Sequence, residues 1–137
     1  MELAREAATA GEVPVGALVV MDGEIVGEGA NRTLRDTDPT AHAEVVALRA
    51  AAKAAGNHRL TGATLFVSLE PCAMCAGAIS HARVGRVVMG ARDAKGGAVV
   101  SGPRFFDQPT CHHRPEVAEV ETESGEMLRA FFRARRT

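Results

Sequence analysis

At 137 residues, with 46% hydrophobic and 24% charged residues, the chain suits one globular domain with a proper core. Its net charge of −1 gives no overall pull toward nucleic acid or an anionic membrane surface. No apolar run approaches the roughly 18 residues of a spanning helix, and the start Met1-Glu2-Leu3-Ala4-Arg5-Glu6 is too acidic for a secretory signal.

Residues 2–10 read as a short Ala-rich helix ended by Gly11. Val13 to Met21 is apolar and β-branched, broken only by Pro14 and Gly16, and predicts a strand. Glu24 to Gly29 predicts a second, and Asp22-Gly23 between them is a two-residue hairpin signal. Asn31 to Pro39 is polar and reads as a loop. Thr40 is placed to cap a helix over Ala41 to Ala55, with Gly56 as its stop. Ala63 to Leu69 is a continuous apolar run, as in a buried strand. Pro71 suits the first turn of a helix over Cys72 to Ala82. Val84 to Met89 predicts another buried strand. Arg92 to Arg114 is a long Gly- and Pro-containing loop with one helical turn near Phe105. Val117 to Val120 predicts a short strand. Ser124 to Arg135 predicts a last helix with Met127, Leu128, Phe131 and Phe132 on one face. This order implies one α/β domain over residues 1–137, a mixed sheet of about five strands with helices on both faces.

Two short stretches carry the chemistry. His42 and Glu44 lie in Thr40-Ala41-His42-Ala43-Glu44, and Cys72 and Cys75 lie in Glu70-Pro71-Cys72-Ala73-Met74-Cys75. One imidazole and two thiols make three zinc ligands, fewer than the four that close a structural site, so a position stays open for water. Glu44 is surplus to that set and suits proton transfer. Cys72 and Cys75, at i and i+3, share one helix face, and the start of a helix favours thiolate over thiol. Either stretch alone is weak: an H-x-E triplet arises by chance, and a single C-x-x-C also occurs as a redox pair. In this order, with Pro before the first Cys, they match the known signature of zinc-dependent nucleobase deaminases. Three cysteines, an odd number, argue against a disulfide framework and fit a reducing, cytoplasmic setting.

Other candidates carry less. Asn31 follows the second strand and can both donate and accept toward a base or ribose edge, although an Asn there is often a plain turn residue. Cys111-His112-His113 is contiguous and lacks zinc-like spacing, so a surface or pocket-rim role is favoured over a second metal. Phe105-Phe106 reads as core before base stacking. Gly27-Glu28-Gly29 does not complete a dinucleotide fingerprint. Arg129, Arg133, Arg135 and Arg136 crowd the last nine residues, a local basic cluster that suits either phosphate or the negative end of a helix.

The stretches Glu12-Val13-Pro14-Val15-Gly16-Ala17, Asp38-Pro39-Thr40-Ala41-His42-Ala43-Glu44, Ala63 to Ala78, Gly90-Ala91-Arg92-Asp93-Ala94-Lys95 and Phe131-Phe132-Arg133-Ala134-Arg135-Arg136 together resemble the bacterial tRNA-specific adenosine deaminases over nearly the whole chain. The resemblance implies the cytidine-deaminase-like three-layer α/β/α fold, one zinc per subunit, a homodimer, and conversion of the wobble adenosine of an arginine tRNA to inosine. It implies His42, Cys72 and Cys75 as zinc ligands and Glu44 as proton shuttle. It implies Asn31 as a contact to the substrate base. Asp93, Lys95, Arg133, Arg135 and Arg136 fall where the family holds the anticodon stem-loop. The sequence departs from the commoner family pattern at Val99 to Arg104 and at Thr110 to Pro115. A deaminase of free nucleosides or of cytosine- or guanine-type bases would share every zinc residue; the terminal arginines and tRNA-type motifs favour the tRNA enzyme. A non-enzymatic zinc-stabilised RNA-binding module is disfavoured by the uncommitted Glu44.

Overall fold

The computed structural model describes residues 1–134. Its elements are α1 (Glu2–Thr9), β1 (Gly16–Met21), β2 (Glu24–Ala30), α2 (Ala43–Ala55), β3 (Thr64–Leu69), α3 (Ala73–His81), β4 (Arg86–Ala91), a 3₁₀ turn (Phe105–Asp107), β5 (Glu116–Glu119) and α4 (Ser124–Ala134). The five strands form one mixed sheet in the order β2-β1-β3-β4-β5. β1 pairs antiparallel with β2 and β3, while β3–β4 and β4–β5 are parallel. The hairpin turns where expected. Asp22 and Gly23 both have positive φ, 51° and 78°, as a turn matched to the strand twist requires.

α2 and α3 pack together against one sheet face, and Leu48, Leu65, Val67, Ile79 and Met89 fill the space between. α1 and the start of α4 lie on the other face, where Gly16 meets Leu3 and Gly90 meets Thr122 and Ser124. The contact that positions the site is between β2 and α2. Ala43, Ala47 and Ala51, four residues apart, form a fully buried stripe on α2. Opposite them, a Cβ on Gly29 would lie 2.3 Å from the Ala43 carbonyl oxygen, and one on Gly27 2.4 Å from that of Ala47. Helix backbone therefore rests on strand backbone, and one added methyl here overpacks the contact, a change that typically costs about 1–3 kcal/mol.

Several boundaries differ from those expected. α2 begins at Ala43, with His42 extended at its N-cap (φ −71°, ψ 155°). Thr40 does not cap it, because Asp38 Oδ1 accepts both the Thr40 amide (2.8 Å) and its hydroxyl (2.7 Å) in a local turn. α3 likewise begins at Ala73, with Cys72 at the N-cap (φ −75°, ψ 177°), so Pro71 stands outside the first turn. Gly56 ends α2 in the left-handed conformation, as read. β1 starts three residues late, after Pro14, which cannot donate to a ladder. β4 runs Arg86–Ala91, while Val84 makes only an isolated bridge to Thr61. On α4, Leu128 is buried but Phe132 is 47% exposed, so the expected apolar face is only partly covered. Among the described residues, no helix is long and apolar enough to cross a membrane.

Candidate active site

The two N-caps bring the sequence-distant stretches together. His42 Nδ1 lies 3.6 Å from Cys72 Sγ and 3.5 Å from Cys75 Sγ. All three ligand atoms lie within 4.8 Å of one another, and among the described residues no other group of three or more His, Cys, Asp or Glu does so. A tetrahedral zinc with bonds of about 2.3 Å to sulfur and 2.0–2.1 Å to nitrogen needs N···S edges of about 3.6 Å. The triangle in this protein has that size, so the donor set fits zinc.

Electrostatics at the caps separate the two thiols. The Cys75 thiol donates to Cys72, and His42 adds a second hydrogen bond and a charge, so the Cys72 thiol is lowered to about 4. Cys75 holds its proton more firmly, pushed up by the same hydrogen bond and by burial. The hydrogen bond to Cys72 raises His42 above its ordinary range, against burial, with the Cys72 and Glu44 charges helping. Glu44 follows one residue inside the helix and is 5% exposed. Burial pushes its carboxyl upward, and the nearby Cys72 charge adds to that, while the His42 charge and the Cys75 thiol pull it back. A buried carboxyl with a raised pKa is suited to take up and return a proton.

These groups open on a cavity of about 360 Å³ lined by Asn31, Thr33, His42, Glu44, Cys72 and Asp93, with Val13, Val15 and Leu69 as apolar walls. That volume lies at the small end of small-molecule pockets. Asn31 is 7% exposed, and its Oδ1 is buried with no hydrogen-bond partner among the described residues. Leaving such an acceptor unpaired costs about 1–3 kcal/mol, which a ligand donor would recover. Its backbone is held on both sides: the Asn31 amide donates to Val15 (3.1 Å), and Arg35 donates to the Asn31 carbonyl (2.8 Å). Asp93 is half-buried and lines the cavity, while Lys95 and Arg133 are exposed and do not line it. Arg135 and Arg136 lie outside the described residues.

Similarity to known proteins agrees with this arrangement. The family model for the cytidine and deoxycytidylate deaminase zinc-binding region matches residues 1–91. A tRNA-specific adenosine deaminase of Agrobacterium fabrum is 55% identical over 135 residues, spanning 97% of this chain and 89% of that protein. The chain belongs to the tRNA-specific adenosine deaminase family. A solved structure from work on A-to-I editing by tRNA:A34 deaminases at the wobble position of transfer RNA superposes with a TM-score of 0.91 at 53% identity, covering 93% of this chain and 94% of that one. A guanine deaminase from Bacillus subtilis is more distant, with a TM-score of 0.66 at 35% identity over 99% of this chain and 88% of that one. The protein is thus a zinc-dependent deaminase of this family with the expected five-stranded α/β fold.

Two functional-site carboxylates escaped the sequence reading. Glu12 is fully buried and accepts the Leu34 amide (3.1 Å), the Arg35 amide (2.9 Å) and Arg35 Nε (3.1 Å), so it holds the loop after Asn31. Glu70 is 2% exposed and holds the loop after Asp93. Each pocket wall of this family member thus has a carboxylate beneath it. The available signal was a lone acid beside an apolar stretch and a proline, in Glu12-Val13-Pro14 and Leu69-Glu70-Pro71. Burial pushes both carboxyls up, but the amide hydrogen bonds outweigh it and hold both below their ordinary value. A lowered folded pKa means that the unfolded chain binds more protons as pH falls, so the stabilisation is present above about 4.5 and is lost below it, through the folded value. Glu12→Gln is therefore expected to cost on the order of 3 kcal/mol at pH 7. Urea denaturation should show the gap to wild type narrowing only below the ordinary carboxyl value of 4.5; a gap independent of pH from 7 to 3 would refute the assignment.

Within Cys111-His112-His113, read as a surface or pocket-rim element, His112 is exposed as expected, but Cys111 is buried and the half-buried His113 anchors the loop. The Cys111 thiol (3.1 Å) and the Ser80 hydroxyl (2.9 Å) donate to the His113 carbonyl, and His113 Nε2 donates to the Val84 carbonyl (2.6 Å). Phe106 is buried and Phe105 packs edge-on against it, as core.

Proposed function

We propose that this protein deaminates the wobble adenosine of an arginine tRNA to inosine, with one zinc per subunit held by His42, Cys72 and Cys75. The observation that carries this reading is the zinc-sized N/S/S triangle with the buried, uncommitted Glu44 beside it. When bound, the metal supplies Lewis acidity that makes hydroxide available near neutral pH. Glu44 accepts a proton from the attacking water as the C6–O bond forms and delivers it to ring N1. It then moves a proton from the new hydroxyl to the amino nitrogen as the C6–N bond breaks, and ammonia leaves. Asn31 offers its unpaired Oδ1 to a donor on the substrate. The apolar walls Val13, Val15 and Leu69 keep bulk water from the exchange.

A base reaches this depth only out of its stack, and a single-stranded anticodon loop allows that at low cost. Asp93, Lys95, Arg133, Arg135 and Arg136 form the stem-loop surface in this reading, supported by the family resemblance; Arg92 is instead committed to Glu119 at 2.7 and 2.9 Å. The resemblance also supports a homodimer, a cytoplasmic setting and one deaminase domain over residues 1–137. The rival, a free-base deaminase, rests on the more distant likeness to guanine deaminase. Ammonia release should be measured on an anticodon stem-loop, free adenosine, cytidine, cytosine and guanine. The stem-loop is expected to exceed every free compound in kcat/KM by about a hundredfold or more, the scale on which remote binding energy contributes to the reaction. Equal or faster turnover of guanine or cytosine would replace this reading with the rival.

A further inference from the structure

Glu70 belongs neither to the zinc set nor to the proton path, yet its side chain accepts five hydrogen bonds. Oε2 accepts the amides of three consecutive residues, Val99 (3.0 Å), Val100 (2.9 Å) and Ser101 (2.9 Å). Oε1 accepts the Asp93 amide (3.0 Å) and the Ser101 hydroxyl (2.9 Å). Successive amides converging on one point make an anion-binding concavity, and the chain's own carboxylate fills it. The fit is close: a Cβ on Gly97 would stand 2.4 Å from Glu70 Cδ and 2.5 Å from the Asp93 carbonyl oxygen. The backbone on either side joins in, with Glu70 N donating to Ala91 (2.8 Å) and Ala98 N to Pro71 (2.9 Å). Residues 70–72 therefore deliver Cys72 to the zinc triangle and also hold the loop that brings Asp93 and Gly96 to the cavity.

We propose that Glu70 is a positioning residue for substrate, its carboxylate fixing the 93–101 loop so that the rim around Asp93 is preformed when the nucleic acid strand arrives. This rests on the stem-loop reading above. A preformed rim spares the cost of ordering the loop at binding. Its loss weakens ground and transition states alike, which raises KM and leaves kcat. Glutamine is the discriminating substitution. If its oxygen serves the three consecutive amides, its NH₂ faces the Asp93 amide, donor against donor, and the tie to the rim is the one that breaks.

The test compares wild type with Glu70→Gln in zinc content, amide exchange and stem-loop kinetics. We expect one zinc per chain, faster exchange at Asp93 than in wild type with Val99, Val100 and Ser101 still protected, a KM raised about tenfold, and a kcat within about threefold of wild type. A wild type inactive on the stem-loop overturns the reading on which this rests. An active wild type with an unmoved KM in the variant overturns this proposal alone. Loss of zinc, or a fall in kcat at constant KM, overturns it in favour of a role in holding Cys72. If Glu70→Gln does not fold, Ser101→Ala removes one bond to Oε1, and its KM should rise about two- to threefold at constant kcat; an unchanged KM overturns the proposal.

Discussion

Glu44→Ala is expected to keep zinc and fold while deamination falls by on the order of 10⁴-fold, the upper range for a positioned acid–base group. The side chain is buried within the first turn of α2, while His42 at the cap supplies the imidazole of the triangle. Metal retention and activity are therefore separable at these two neighbouring positions. Single-turnover deamination of the stem-loop, alongside metal analysis of the same sample, makes the check. Activity within tenfold of wild type at full zinc content would remove Glu44 from the proton path.

Cys72→Ser and Cys75→Ser are each expected to reduce zinc from one per chain to a small fraction and to lower thermal stability, because metal binding free energy is also folding free energy. Serine keeps the volume but not the soft thiolate. Cys111→Ser should retain full zinc, since its sulfur is engaged with the Ser80 hydroxyl and the His113 carbonyl away from the triangle. A Cys111 variant that loses the metal, or a Cys75 variant that keeps it, would overturn the ligand set.

The clustering of His42, Cys72 and Cys75 was legible because their residue types, order and spacing follow a pattern that one small ion would constrain. The hairpin and the end of α2 were legible because Asp22, Gly23 and Gly56 occupy positive-φ positions that few residues tolerate. The helix starts were misread for a local reason: Thr40 is a good cap by type, but Asp38 had already captured its amide and hydroxyl. Glu12 and Glu70 were illegible for a different reason. Their partners lie 22 to 31 residues away, and no periodicity in a sequence encodes a carboxylate that meets distant loop amides. Cys111 and His113 were misjudged in the same way, since Val84 and Ser80 are neighbours only after β4 and α3 are in place.

The direct seating of α2 on β2 has a consequence for how this chain tolerates change. Where two elements are separated by large side chains, each substitution between them alters their spacing and shifts whatever they carry. Between Gly27 or Gly29 and the Ala43–Ala51 stripe there is no such spacer. The height of the imidazole above the sheet is gauged by main chain against main chain. Apolar exchanges elsewhere in the interior therefore leave the imidazole in place, and their effect on the metal geometry comes through α3, which rests on large side chains such as Ile79 and Met89.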